Sequence, residues 1–181
     1  MSKSIFLEKT FKKIKIYEGK SVNFRADKVI LPDGKKAQRE FIEHPGAVAV
    51  LPINSKGEII FVRQFRYPVF EETLEIPAGK LHSKKDNPLI RAKEELKEET
   101  GFSAKRISHL LDFWPTPAFS DEVLRIYAAY GLNAGKNSPD EDEFISWEAV
   151  SPKKALSFIK KGKIKDSKTI IALYHYFLFK K

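Results

Sequence analysis

Asp86, Glu94, Glu95, Glu98 and Glu99 fall on one short stretch of the chain, DNPLIRAKEELKEETGF, from residue 86 to residue 102. Asn87 suits a helix cap, Pro88 a first turn and Gly101 a helix end, so the spacing predicts a helix between them. Glu98 and Glu99 then lie in its last turn, where the helix dipole already presents negative charge, and Glu95 and Glu99 share a face one turn apart. Each such clash costs about 0.3–1 kcal/mol. Carboxylate oxygens converging at this spacing are a ligand set for Mg²⁺ or Mn²⁺. The competing reading is a solvated charged helix in which Arg91, Lys93 and Lys97 pair with the acids, for example Arg91 with Glu95.

Such a cluster needs elements to position it. Three N-terminal segments read as strands: Thr10 to Tyr17, Ser21 to Ile30 with Val22, Phe24 and Ala26 on one face, and Gln38 to Glu43. Turn signals at Glu18-Gly19-Lys20 and at Leu31 to Lys35 separate them. Three strands that bury one side must pack on the rest of the chain or on another subunit. Ala47 to Ile53 (AVAVLPI) is continuously apolar and reads as a buried strand, turned by Asn54 to Gly57 into Ile59 to Gln64 as a hairpin. Thr73 to Ile76 is a short strand running into Pro77-Ala78-Gly79. Leu124 to Gly131 and Phe144 to Val150 are two further strands, separated by a polar loop. One helix follows Ser151-Pro152 and stops near Gly162; another runs from about Asp166 to Phe179, with Ile170, Leu173, Tyr174 and Phe177 at helical spacing.

Composition bounds the chemistry. The 181 residues suffice for one domain with a real core, and 42% hydrophobic with 31% charged content fits a globular chain. Cysteine is absent, which removes disulfides, thiolate zinc sites and cysteine nucleophiles. His44, His82, His109 and His175 are scattered and form no ligand motif, so zinc is not expected. The N-terminal residues lack a signal-peptide pattern, and the longest apolar run, Thr169 to Phe179, is too short to span a bilayer. The expectation is a cytoplasmic protein with no membrane association. The net charge of +9 admits nucleic acid or phosphate-bearing small molecules as partners. Because the lysines are spread along the chain and no basic strand carries interleaved aromatics, nucleic acid is not the expected partner.

Gly79 to Phe102, GKLHSKKDNPLIRAKEELKEETGF, resembles the Nudix box. The match rests on Gly79, Glu95, Leu96, Glu98, Glu99, Gly101 and Phe102. The loop is one residue longer than the family pattern, which puts the family's loop Glu at Asp86. The family's Arg before the first helix Glu is Glu94 here, and Arg91, one turn before Glu95, is the candidate to replace it. Around the box, Val62 to Pro68 (VRQFRYP), Glu75 to Gly79 (EIPAG) and Trp114 to Glu122 (WPTPAFSDE) are similar to segments of the ADP-ribose pyrophosphatase branch. Pro117 matches that branch's marker proline, and Ala118 stands where a Gly is usual.

The resemblance implies an α/β fold with a mixed sheet, a Nudix-like α/β/α sandwich, preceded by an N-terminal antiparallel β subdomain. Residues 1–43 would form that subdomain, for dimerisation and substrate contacts, and residues 44–181 the hydrolase domain. It implies metal-dependent hydrolysis of the diphosphate of ADP-ribose or a related nucleoside diphosphate sugar by a homodimer, with Mg²⁺ or Mn²⁺. The implied metal ligands are the Ala78 carbonyl, Glu95, Glu98, Glu99 and Glu143, and Glu98 reads equally as a solvent-facing acid. Glu141 is the implied general base, with an acidic solvent loop as the competing reading. Arg66, Arg39 and Glu122 are the implied substrate contacts, Arg39 reading equally as half of a surface ion pair. A different preferred diphosphate, a non-catalytic ADP-ribose-binding protein and a nucleic-acid-binding module are the alternatives.

Overall fold

The computed structural model describes residues 4–136 and 144–179. Its contacts divide it into two compact units, Met1–Pro45 with Trp114–Glu122, and Gly46–Phe113 with Val123–Lys181. Among the described residues no helix is long and apolar enough to cross a membrane.

The first unit carries an antiparallel four-stranded sheet of β1 (Lys9–Lys12), β2 (Lys15–Glu18), β3 (Asn23–Ile30) and β4 (Lys36–Glu43). β4 pairs with β3 along its whole length. β1 and β2 follow one another along the opposite edge of β3, so the segment that reads as one strand in the sequence is broken in its middle. The break has a local cause. The Asp27 carboxylate accepts the Ile14 N–H at 2.9 Å, and the Ala26 N–H donates to the Ile14 carbonyl at 2.9 Å. Arg25 holds Asp27 through Nη2 at 2.9 Å and reaches Glu43 at 2.6 Å. The segment Trp114–Glu122 joins this unit where Ile42 bridges to Ser120 in parallel.

The second unit is built on β5 (Ala47–Ile53), β6 (Ile59–Arg66), β7 (Glu71–Glu75), β8 (Ala78–Lys80), β9 (Phe102–Phe113), β10 (Leu124–Ala134) and β11 (Ser146–Val150). The strand order is β11-β6-β5-β10-β9, with β7 added to β6 and β8 to β5. β5 and β10 run parallel while the other pairs are antiparallel, so the sheet is mixed. The helices are α1 (Pro88–Thr100), α2 (Pro152–Lys160) and α3 (Ser167–Phe179).

β5 is buried along its whole length because both of its faces are covered. Ala47, Ala49, Leu51 and Ile53 join the core formed with α2 and α3, through Ala155, Ala172, Leu173 and Tyr176. Val48 and Val50 point the other way and meet Ala92 and Leu96 of α1. The two-residue side-chain period of one strand thereby sets the helix–sheet–helix layering. The hairpin between β5 and β6 pairs Ile53 with Ile59. β9 has no counterpart in the sequence reading. A register shift opposite Ile126 and Tyr127 leaves Leu110 as the extra residue in β9 and breaks the alternation that would have marked a strand.

α1 begins and ends where its sequence directs. The Asn87 side chain accepts the Leu89 N–H at 3.0 Å, and Gly101 closes the helix at φ 76° with its N–H on the Lys97 carbonyl. Full burial of Leu96 stabilises the helix by about 1.5–3 kcal/mol. That outweighs an acid clash of about 0.3–1 kcal/mol, so the apolar face lets α1 carry its acids into the protein.

Candidate active site

Glu95 and Glu99 are 5% and 2% exposed, at the point where α1 crosses β8. The Glu95 carboxyl presses on the backbone of Gly79. A Cβ built there would lie 1.4 Å from Glu95 Oε1, so any larger residue would evict the glutamate. Glu99 Oε2 accepts the Ala78 N–H at 3.1 Å. Two buried carboxylates one turn apart are thus tied to the same two residues of the strand that precedes them. Glu98 is more open.

One guanidinium ties Glu94, Glu95 and Glu98 together. Arg91 Nη2 lies 2.5 Å from Glu95 Oε1, and its Nη1 lies 3.1 Å from Glu98 Oε2 and 3.4 Å from Glu94 Oε2. Its Nε donates to the Lys80 carbonyl at 3.3 Å. Burial opposes its charge, but the charges of Glu95, Glu98 and Glu94 outweigh burial and raise its pKa above the usual arginine value. Asp86 organises the loop ahead of the helix, accepting the N–H groups of His82 at 2.7 Å and Ser83 at 2.9 Å. These bonds, with the Ser83 hydroxyl, hold its carboxyl below the ordinary range.

The donors at this helix end are all oxygen, the set a hard divalent cation takes. They fit such an ion in kind and in closeness to the Ala78–Gly79 backbone. Among the described residues no three acidic or histidine side chains form a ready-made cage, and Arg91 pairs with Glu95.

The NUDIX domain family model matches residues 43–173. This chain belongs to the NUDIX family. It is 41% identical over 173 residues to a protein of Bacillus methanolicus described as a methanol dehydrogenase activator, spanning 94% of this chain and 93% of that one. It is 40% identical over 170 residues to the ADP-ribose pyrophosphatase of Bacillus subtilis (strain 168), spanning 93% and 91%. A crystal structure of an ADP compounds hydrolase superposes with a TM-score of 0.84 over 98% of this chain and 96% of that one. At 18% identity that likeness shows the fold alone, which is the mixed α/β architecture the sequence led to expect. The chain is a NUDIX hydrolase, and enzymes of this family generally use divalent metal ions.

The sequence singles out further residues. Arg66, at the end of β6, forks onto Glu75, with Nε 2.9 Å from Oε1 and Nη2 2.8 Å from Oε2. Arg39 and Glu122 belong to the first compact unit. Arg39 pairs with Glu8 through Nε at 2.8 Å, which raises the arginine's pKa. Glu122 Oε1 lies 4.0 Å from His44 Nδ1. Glu141 and Glu143 lie outside the described residues. Glu75 was not singled out as a site residue by the sequence, nor were Lys168 and Asp166. Lys168 Nζ lies 2.5 Å from Glu75 Oε2 and 3.0 Å from Asp166 Oδ1. Burial opposes ionisation of Glu75, but hydrogen bonds from Arg66 and the charge of Lys168 outweigh it and hold its pKa at about 2. The signal for this network was the Glu of EIPAG, but its partners lie 9 and 93 residues away and no local period links them.

Proposed function

We propose that this NUDIX hydrolase cleaves the diphosphate of ADP-ribose or a related nucleoside diphosphate sugar, releasing a nucleoside monophosphate and a sugar phosphate. The observation that carries the reading is the buried pair Glu95 and Glu99 seated on Ala78 and Gly79. The likeness to a Bacillus ADP-ribose pyrophosphatase over most of the chain supports the substrate class.

The Ala78 carbonyl, Glu95, Glu98, Glu99 and Glu143 would hold Mg²⁺ or Mn²⁺. When bound, such an ion neutralises diphosphate charge and polarises the phosphoryl oxygens. Arg91 takes the place of the family's box arginine, fixing Glu95 and Glu98 from one turn earlier on the helix. Gly79 leaves room for the Glu95 carboxyl. Arg66 presents guanidinium N–H groups to a phosphate, a task suited to its planar fork. Glu141 accepts the proton of the attacking water; the new bond forms at one phosphorus as the bridging P–O bond breaks, and the second monoester leaves. Glu122 binds a ribose hydroxyl. Arg39 contacts substrate in the site of a second subunit, and the enzyme works as a cytoplasmic homodimer.

Release of monoester phosphate from a panel of nucleoside diphosphate derivatives, read with a coupled phosphatase, tests this. ADP-ribose should yield AMP and ribose 5-phosphate with Mg²⁺, and the signal should vanish with EDTA and return with Mg²⁺ or Mn²⁺. No hydrolysis of any member of the panel would refute the reading. The likeness to the methanol dehydrogenase activator favours a second use of the same site, in service of a partner dehydrogenase. Dehydrogenase turnover with and without this chain tests that use.

A further inference from the structure

The roles above leave one buried ionised cluster unused. Glu75 ends β7, three residues before Ala78, and is 2% exposed. Its carboxylate is fully occupied. Oε1 accepts from Arg66 Nε at 2.9 Å and Thr73 Oγ1 at 2.6 Å. Oε2 accepts from Arg66 Nη2 at 2.8 Å and Lys168 Nζ at 2.5 Å. With two lone pairs on each oxygen, four donors leave Glu75 no capacity to ligate an ion or take a proton from water. It cannot serve as one more metal ligand beside the box.

Its partners show what it can do. The Arg66 side chain is 40% exposed, and Nη1 has no hydrogen-bond partner among the described residues. The nitrogens bound to Glu75 fix the guanidinium plane and leave the Nη1 edge for another acceptor. The charge of Glu99 also acts on the Arg66 guanidinium. Behind the pair, Lys168 is 8% exposed on the first turn of α3. Asp166 Oδ1 accepts from Lys168 Nζ, and Asp166 Oδ2 accepts the Thr169 N–H at 3.0 Å. The Thr169 hydroxyl in turn accepts the Ile76 N–H at 2.9 Å. The start of α3 therefore grips both the Glu75 side chain and the backbone two residues ahead of Ala78.

We propose that Glu75 is a positioning residue for the reaction, clamping Arg66 so that its Nη1 edge faces the substrate diphosphate, with Lys168 on α3 locking the clamp. The inference rests on the reading of Arg66 as a phosphate contact and adds the device that orients it. A freely rotating arginine would have to be ordered at each binding event, whereas a forked one is already in place. The loss should therefore fall on substrate affinity more than on turnover at saturation.

Steady-state kinetics with ADP-ribose and Mg²⁺ on the full chain decides it. Glu75→Gln should raise KM by about tenfold to a hundredfold, with a smaller change in kcat. Arg66→Ala should do the same. The double variant should be no worse than Arg66→Ala, because Glu75 acts through Arg66. Thr73→Val removes one of the four donors with less risk to folding, and should raise KM by about threefold to tenfold. A wild-type KM in Glu75→Gln or in Thr73→Val would overturn the inference while the function stands, and so would a double variant whose loss is the product of the single losses. A wild-type enzyme that hydrolyses no nucleoside diphosphate sugar would overturn the function and this inference with it.

Discussion

The end of α1 and the end of β7 both bury carboxylates, yet they balance their charge differently. Around Glu75 two acids, Glu75 and Asp166, meet two cations, Arg66 and Lys168. At α1 one guanidinium, Arg91, is shared among Glu94, Glu95 and Glu98. Removing a charge from water costs several kcal/mol unless a partner compensates. The first cluster is compensated by the chain itself and behaves as scaffold. In the second, one guanidinium bridges three carboxylates, and the proposed function adds a divalent cation to the same acids. On the proposed function, the balanced cluster clamps Arg66 and the helix-end acids would take a divalent cation.

The comparison can be broken most sharply at Glu99. Glu99→Gln should lower kcat by about a hundredfold or more with little change in melting temperature. Normal turnover in that variant would erase the distinction between the clusters. Glu75 should respond in stability, and with pH. Its carboxyl lies near 4.5 in the unfolded chain and is held at about 2 in the fold. A depressed carboxylate contributes stability that is fully present above about pH 4.5 and is lost as the pH falls towards 2. The contribution is on the order of 3 kcal/mol. Denaturant unfolding should show Glu75→Gln well below the wild type at neutral pH, with the gap closing in acid. A gap independent of pH would contradict the charge argument. Arg91→Ala should weaken Mn²⁺ binding and turnover by about tenfold to a hundredfold, measurable by titration calorimetry and kinetics. Unchanged values would return Arg91 to the role of a surface pair. The smallest effect is at Thr73: Thr73→Val should cost about 1 kcal/mol of stability and leave Mn²⁺ affinity at the wild-type value.

The acid helix was legible because every signal lies within one segment. Asn87, Pro88 and Gly101 bound it, and Leu96 with Ala92 gives it a buried face. β5 was equally plain, since AVAVLPI is apolar on both faces and both are covered. β9 was not, because a bulge at Leu110 interrupts its alternation and its face is half-buried throughout. The break between β1 and β2 was hidden for a related reason. It depends on Asp27 reaching across to the Ile14 N–H, a contact between strands that no reading of one strand contains. The helix-end acids could be proposed as ligands from spacing alone. The Glu75 cluster joins β6, β7 and α3 across 93 residues and becomes visible only when the sheet and helix are assembled.

Anomalous diffraction from crystals soaked with Mn²⁺ and a non-cleavable ADP-ribose analogue tests the central claim most directly. The account predicts a manganese peak at the end of α1, contacted by Glu95, Glu99 and the Ala78 carbonyl, with Arg66 on a phosphate of the analogue. Full soaking with no peak there, and Glu95 still paired with Arg91 as in the free protein, would contradict it.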